Sequence, residues 1–112
     1  MSNTLGITHA QFQAQLCNSR NGLAPMLGWK CQYFWRSYHS PKGWPDLFLV
    51  HVEKKRAIVA ELKVGKDQVT PEQQDWLDAL EAVGIPAYVW RDTTPIEEIA
   101  EILSADTMGT PE

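Results

Sequence analysis

Three charged side chains stand where apolar ones would be expected. Asp46 heads the run Leu47-Phe48-Leu49-Val50, and Glu61 and Lys63 lie near the end of Ile58-Val59-Ala60-Glu61-Leu62-Lys63-Val64. Two carboxylates brought together in an apolar sheet repel, and burying them unpaired costs several kcal/mol or forces a proton onto one of them. Lys63 can balance only one. A hard divalent cation resolves the rest, because Mg2+ favours carboxylate oxygens, retained waters and substrate phosphate oxygens. Lys63 is then free to orient or deprotonate an attacking water, a combination that cleaves phosphodiesters. The spacing equally suits a salt-bridge cluster at a strand end, where charged side chains are commonly solvated.

Chemistry of either kind requires the three groups to meet. Leu47 to Val52 and Arg56 to Val64 read as two strands joined by Glu53-Lys54-Lys55. If they form an antiparallel hairpin with Lys54 and Lys55 at its tip, paired residue numbers sum to about 109, setting Asp46 opposite Lys63 and Phe48 opposite Glu61. Side chains alternate with period two along a strand, so any even-length loop collects Asp46, Glu61 and Lys63 on one face at one end. An odd loop would send Asp46 to the other face.

The remaining elements follow from caps and periodicity. Thr8, Thr70 and Thr94 each precede a Gln or Glu by three residues, at Gln11, Gln73 and Glu97. This is the spacing of a capping box, and Pro71 and Pro95 occupy the position where a missing N–H costs nothing. Helices are expected from about His9 toward Asn18, through Trp76, Leu77, Leu80 and Val83 up to Gly84, and from Ile96 to near Ala105. Lys30 to Trp35 and Ala87 to Trp90 supply two further strands, and residues 36–44 form a loop. Trp76 and Trp90 fall in apolar patterns and belong to the core, whereas Trp35 and Trp44 flank the loop and suit substrate or dimer contacts. The order α-β-β-β-α-β-α, with strands apolar on both faces, predicts a compact α/β/α sandwich around a mixed four-stranded sheet. Its fourth strand follows a crossover helix and should run parallel to the third.

Composition narrows the class. The chain has 112 residues, 44% hydrophobic and 21% charged, which suits one soluble globular domain over residues 1–105 with a frayed tail at 106–112. No run of eighteen apolar residues and no basic-then-apolar leader is present, so neither membrane insertion nor export is expected. Cys17 and Cys31 lack any CxxC or His/Cys ligand spacing; they read as small buried hydrophobes in a reducing cytoplasm. The net charge of −4 conceals a segregation: residues 20–66 carry +6, while residues 67–112 carry −10, with Arg91 their sole basic group. Two readings fit: the basic half faces a polyanion, or the charges merely solvate separate faces.

Pro45-Asp46 followed after a hairpin by Glu61-Leu62-Lys63 resembles the PD-(D/E)XK nuclease superfamily. The longer runs "LGWK", "GWPDLFLV" and "VAELKVGKDQVTPEQQDWLDALEAVGIPAYVWR" are similar to its VRR-NUC branch over about residues 8 to 91, stand-alone members of which are often phage-encoded. The resemblance implies a restriction-endonuclease-like fold. It assigns metal binding to Asp46, Glu61 and the Leu62 carbonyl, and catalysis to Asp46, Glu61, Lys63 and Gln73. Gln73 also fits the capping box, and the two roles are compatible. Where family members often carry a Glu in the first helix, this chain has His9, which could ligate metal in its place although Mg2+ prefers oxygen. "WR" is commonly followed by Pro, and here by Asp92, a departure confined to the approach to the last helix. Arg36, His39, Ser40, Lys42 and Lys66 are candidate DNA contacts.

The activity implied is a Mg2+-dependent endonuclease, with Mn2+ able to substitute, acting in the bacterial or phage-infected cytoplasm. Its substrate would be branched DNA such as a Holliday junction, flap or fork. A domain this small covers few base pairs, so a homodimer is expected. Two other readings remain: a non-cleaving DNA-binding or accessory module on the same fold, and a structural protein whose charged cluster is only a salt bridge.

Overall fold

Two of the three expected capping boxes form. Thr8 Oγ1 accepts from Gln11 N at 3.1 Å while Gln11 Oε1 accepts from Thr8 N at 2.8 Å, opening α1 (His9–Cys17). Thr70 and Gln73 repeat the exchange at 3.1 and 2.9 Å to open α3 (Pro71–Ala82). The third does not form. Thr94 Oγ1 accepts from Arg91 N at 2.8 Å and Thr94 N donates back to Arg91 O at 2.9 Å, so its hydroxyl closes the preceding turn. Pro95 therefore stands as the N-cap of α4 (Ile96–Ser104), with no side-chain capping bond. A short helix that periodicity did not signal, α2 (Leu23–Met26), follows Gly22.

The structure, a computed structural model, describes residues 7–33 and 42–105. Strands β1 (Lys30–Tyr33), β2 (Leu47–His51), β3 (Arg56–Lys63) and β4 (Ala87–Arg91) form one sheet in the order β1-β2-β3-β4. The first three are antiparallel, and β4, reached through α3, runs parallel to β3. Trp35 and most of the loop that follows it, together with the tail at 106–112, lie outside the described residues.

The hairpin register differs from expectation by two. Leu47 pairs with Ala60 and His51 with Arg56, so paired numbers sum to 107, and Phe48 lies opposite Val59 instead of Glu61. The cause is the turn. Lys55 N bonds to Val52 O at 3.1 Å and Lys55 takes a left-handed φ of 55°, which places the four-residue turn at 52–55. A slip of two is even, so every side chain keeps its face.

One face of the sheet carries Leu47, Leu49, Ile58, Ala60, Leu62 and Trp90. It packs against Phe12, Leu16 and Cys17 of α1, Ala24 of α2, Trp29, and Ile99 and Leu103 of α4. Each fully buried Leu or Ile here contributes roughly 2 kcal/mol. Cys17 is buried and Cys31 half-buried, both as free thiols. The opposite face holds Val59 and Glu61, with α3 packed beside β4 through the buried Leu77. The result is helices on both sides of a mixed sheet. Among the described residues, no helix is long and apolar enough to cross a membrane.

Candidate functional site

Continuing the β2–β3 register by one residue sets Asp46 opposite Glu61, with Lys63 two residues on along the same face. The ladder stops there for a local reason. The bonds from Val59 N to Pro86 O and from Asp92 N to Lys63 O show that the odd-numbered residues of β3 turn their backbone groups toward β4, so Leu62 faces β2. Its partner in a continued ladder would be Pro45, which has no N–H to offer the Leu62 carbonyl. The Leu62 N–H is taken instead by Asp46 Oδ2 at 2.9 Å. Pro45 thus ends the ladder, leaves a carbonyl without its ladder donor and turns the Asp46 side chain back onto β3.

Gly43 fixes the approach to this corner. Its φ is +87°, and a Cβ there would lie 2.5 Å from the Glu72 carbonyl carbon, so the segment before Asp46 lies directly against the first turn of α3. Lys42, exposed, reaches Glu72 at 3.7 Å. The Trp44 ring meets Trp76 edge-on at 4.8 Å, so both rings are half-buried packing between this segment and α3.

The electrostatics at the corner are unfavourable by construction. Glu61 is 2% exposed and Lys63 8%, and they pair at 3.3 Å through Glu61 Oε2. Among the described residues, Glu61 Oε1 is buried without a hydrogen-bond partner. Burial, and then the neighbouring Asp46 charge, push the Glu61 carboxyl from 4.5 up to about 7 against the opposing pull of Lys63. His9, on the first turn of α1, brings Nε2 to 3.2 Å from Asp46 Oδ2. That oxygen is then committed twice, to His9 and to the Leu62 N–H, which leaves Oδ1 outside both bonds. Gln73 Oε1 is occupied by its helix cap, which leaves the amide nitrogen as donor.

The fold therefore brings together Asp46, Glu61, Lys63, the Leu62 carbonyl and His9. Lys66, exposed, lies in the turn three residues beyond Lys63. Arg36, His39 and Ser40 lie outside the described residues. Among the described residues, no group of three or more His, Cys, Asp or Glu side chains is arranged to hold a metal ion. One residue to which motif reading gave no role sits at the same corner. Arg91 pairs with Lys63 across β3 and β4; its advance signals are its place in the Trp90-Arg91 pair that closes the family-like run and its being the single cation in residues 67–112.

The family model of the VRR-NUC domain matches residues 8–92 of the chain, from the cap of α1 to just past β4. No curated protein and no solved structure matches it.

Proposed function

The chain belongs to the VRR-NUC domain family, and from that footing we propose that it is a metal-dependent endonuclease that hydrolyses phosphodiester bonds in branched DNA. The observation that carries the reading is the buried, unpartnered Glu61 Oε1 beside the Asp46 carboxylate. A sheet end built for stability would place there an apolar residue or a matched pair.

The donor set fits a hard divalent cation: two carboxylates and a carbonyl without its ladder donor, all oxygen, sharing one corner. Asp46 Oδ1, Glu61 and the Leu62 carbonyl would hold Mg2+, with Mn2+ able to take its place. Bound there, the ion would polarise a phosphate oxygen and offset charge on the leaving group. His9 holds Asp46 by one oxygen and so fixes the direction of the other. Lys63, tethered to Glu61, holds its ammonium over the corner, where it orients the attacking water and stabilises charge as the water loses its proton. Gln73 offers its amide nitrogen from the start of α3 as a donor to water or phosphate. In-line attack leaves 5′-phosphate and 3′-hydroxyl ends. Lys42, Lys66 and, in the loop before Asp46, Arg36, His39 and Ser40 would meet the DNA backbone. A homodimer would present two such corners to the arms of a junction.

Incubation with a four-way junction, a flap and plain duplex, each with Mg2+, Mn2+ or EDTA, tests the reading. Metal-dependent cleavage of a branched substrate is expected, and Asp46→Ala should abolish it. Intact substrates throughout, with Asp46→Ala indistinguishable from the parent, would sink the proposal in favour of a non-cleaving module.

A further inference from the structure

Arg91 closes β4 directly beside Lys63, and residues paired across a parallel ladder point to the same face. Its backbone is held on three sides. Arg91 N donates to Thr94 Oγ1 at 2.8 Å, Arg91 O accepts from Thr94 N at 2.9 Å, and the next residue bonds back to Lys63 O at 3.2 Å. The guanidinium is not matched with any acid. Nη1 donates to the backbone carbonyl of Asp67 at 2.8 Å, and among the described residues no carboxylate pairs with it. Asp67, whose carbonyl takes that bond, and Asp92, the next residue along, make no ion pair with it among the described residues. A guanidinium has five N–H donors, so one bond to a carbonyl leaves most of the fork and the whole charge uncommitted.

That economy is unusual for its context. Residues 67–112 carry eleven acidic groups and one basic one, and the fold delivers the one basic group to the corner that holds Glu61 and Lys63. A half-buried cation without a counter-ion costs stability. Its placement serves a ligand better than it serves the fold. The carboxyl ends of neighbouring parallel strands are also where open α/β sheets take their ligands.

We propose that Arg91 is the anchor of a phosphate-binding subsite. Its free guanidinium N–H groups grip the backbone phosphate adjacent to the one presented to Asp46 and Glu61, while the Asp67 carbonyl aims the fork. The inference rests on the nuclease reading and adds to it a substrate-positioning residue from the acidic half of the chain. A planar, forked donor matches phosphate oxygens two at a time, which a lysine at this position would not.

The test is equilibrium binding of a fluorescent four-way junction, read by anisotropy with Ca2+ in place of Mg2+ and repeated across a salt series. Arg91→Gln is the main variant, because its amide retains a donor for the Asp67 carbonyl while the charge is lost. Arg91→Ala and Arg91→Lys accompany it. Arg91→Gln should weaken binding roughly tenfold and lower the slope of log affinity against log salt by about one. Arg91→Lys should restore the slope but only part of the affinity. A slope unchanged in Arg91→Gln would overturn the proposal and leave Arg91 as a loop anchor, as would a parent protein that does not bind DNA. A parent that binds through Arg91 yet cuts nothing with Mg2+ would remove the nuclease reading and leave the subsite standing.

Discussion

The two ends of the β2–β3 hairpin handle buried charge in opposite ways. At the turn end, Arg56 is 3% exposed, and its Nη1 donates to the carbonyls of Ile102 and Ala105 at 3.0 and 2.8 Å. Lys54 Nζ adds bonds to Ser104 O and Ala105 O at 2.8 and 3.2 Å. Two cations thus satisfy the orphan carbonyls at the C-terminus of α4, where the helix dipole favours positive charge. Arg56 also lies over the Trp29 ring at 5.0 Å, and His51 joins by accepting from Lys54 N and meeting Leu27 O. At the open end, Asp46 and Glu61 set like charges together, with one oxygen of Glu61 left unpartnered. Arg56 Nε is also buried without a partner among the described residues, so one missing hydrogen bond does not separate the two ends. What separates them is sign: the turn end sets cations against helix carbonyls, whereas the open end sets two carboxylates together with Lys63 paired to one of them. The lesson is that neither buried charge nor a single unmet donor marks a site; like charges gathered together do.

The contrast can be broken most sharply by removing one cation from each end. Lys63→Ala should lower turnover by about a thousandfold, close to 4 kcal/mol of activation free energy. Its melting temperature should move little, because the Glu61 carboxyl, already pushed up to about 7 by burial, can take up a proton when its partner goes. Metal affinity, measured by calorimetry, should survive. A loss of metal affinity as large as the loss of turnover would make Lys63 structural. Arg56→Ala should do the reverse, costing about 3 kcal/mol in a denaturant titration by stranding the α4 carbonyls, while turnover per folded molecule stays at the parent level.

A finer cut tests the open end alone. The Glu61 carboxyl is raised from 4.5 to about 7 in the folded chain, so the folded state holds its proton more tightly than the unfolded one. Its stabilising effect is complete below about pH 4.5 and is lost as pH rises through 7. Glu61→Gln has no such loss. Its stability relative to the parent should therefore climb across that window by at most about 3 kcal/mol and level off above it. Excess Mg2+ should shrink the gap at pH 8 by favouring the ionised carboxylate. A stability difference flat in pH would mean that Glu61 is satisfied by something other than a proton.

Much of this was legible before folding. The caps at Thr8 and Thr70 form because the hydroxyl and the Gln three residues on lie within one helical turn, so local spacing suffices. The same spacing at Thr94 failed because a strand ends three residues earlier, and the hydroxyl took the Arg91 N–H instead. Nothing within the Thr94 motif distinguishes the two outcomes. The shared face of Asp46, Glu61 and Lys63 survived an error in register because alternation depends only on whether the loop is even. The identity of the opposing residue did not survive, since that depends on where Lys55 adopts its left-handed turn. Gln73 was readable as a cap and as a site residue; the fold commits its oxygen to the cap and leaves its nitrogen available.

Sequence by itself determined every element but α2, the family, and the parity that gathers three charged groups at one corner, because period-two alternation and capping are local rules written in neighbouring residues. The tertiary structure decided what those charges experience. Only the folded surroundings remove water from Glu61, only Pro45 ending the ladder turns Asp46 onto Leu62, and only the β3–β4 pairing brings Arg91 beside Lys63. Desolvation and long-range neighbours depend on the whole fold, and they are what make a cluster of charged residues a candidate for chemistry.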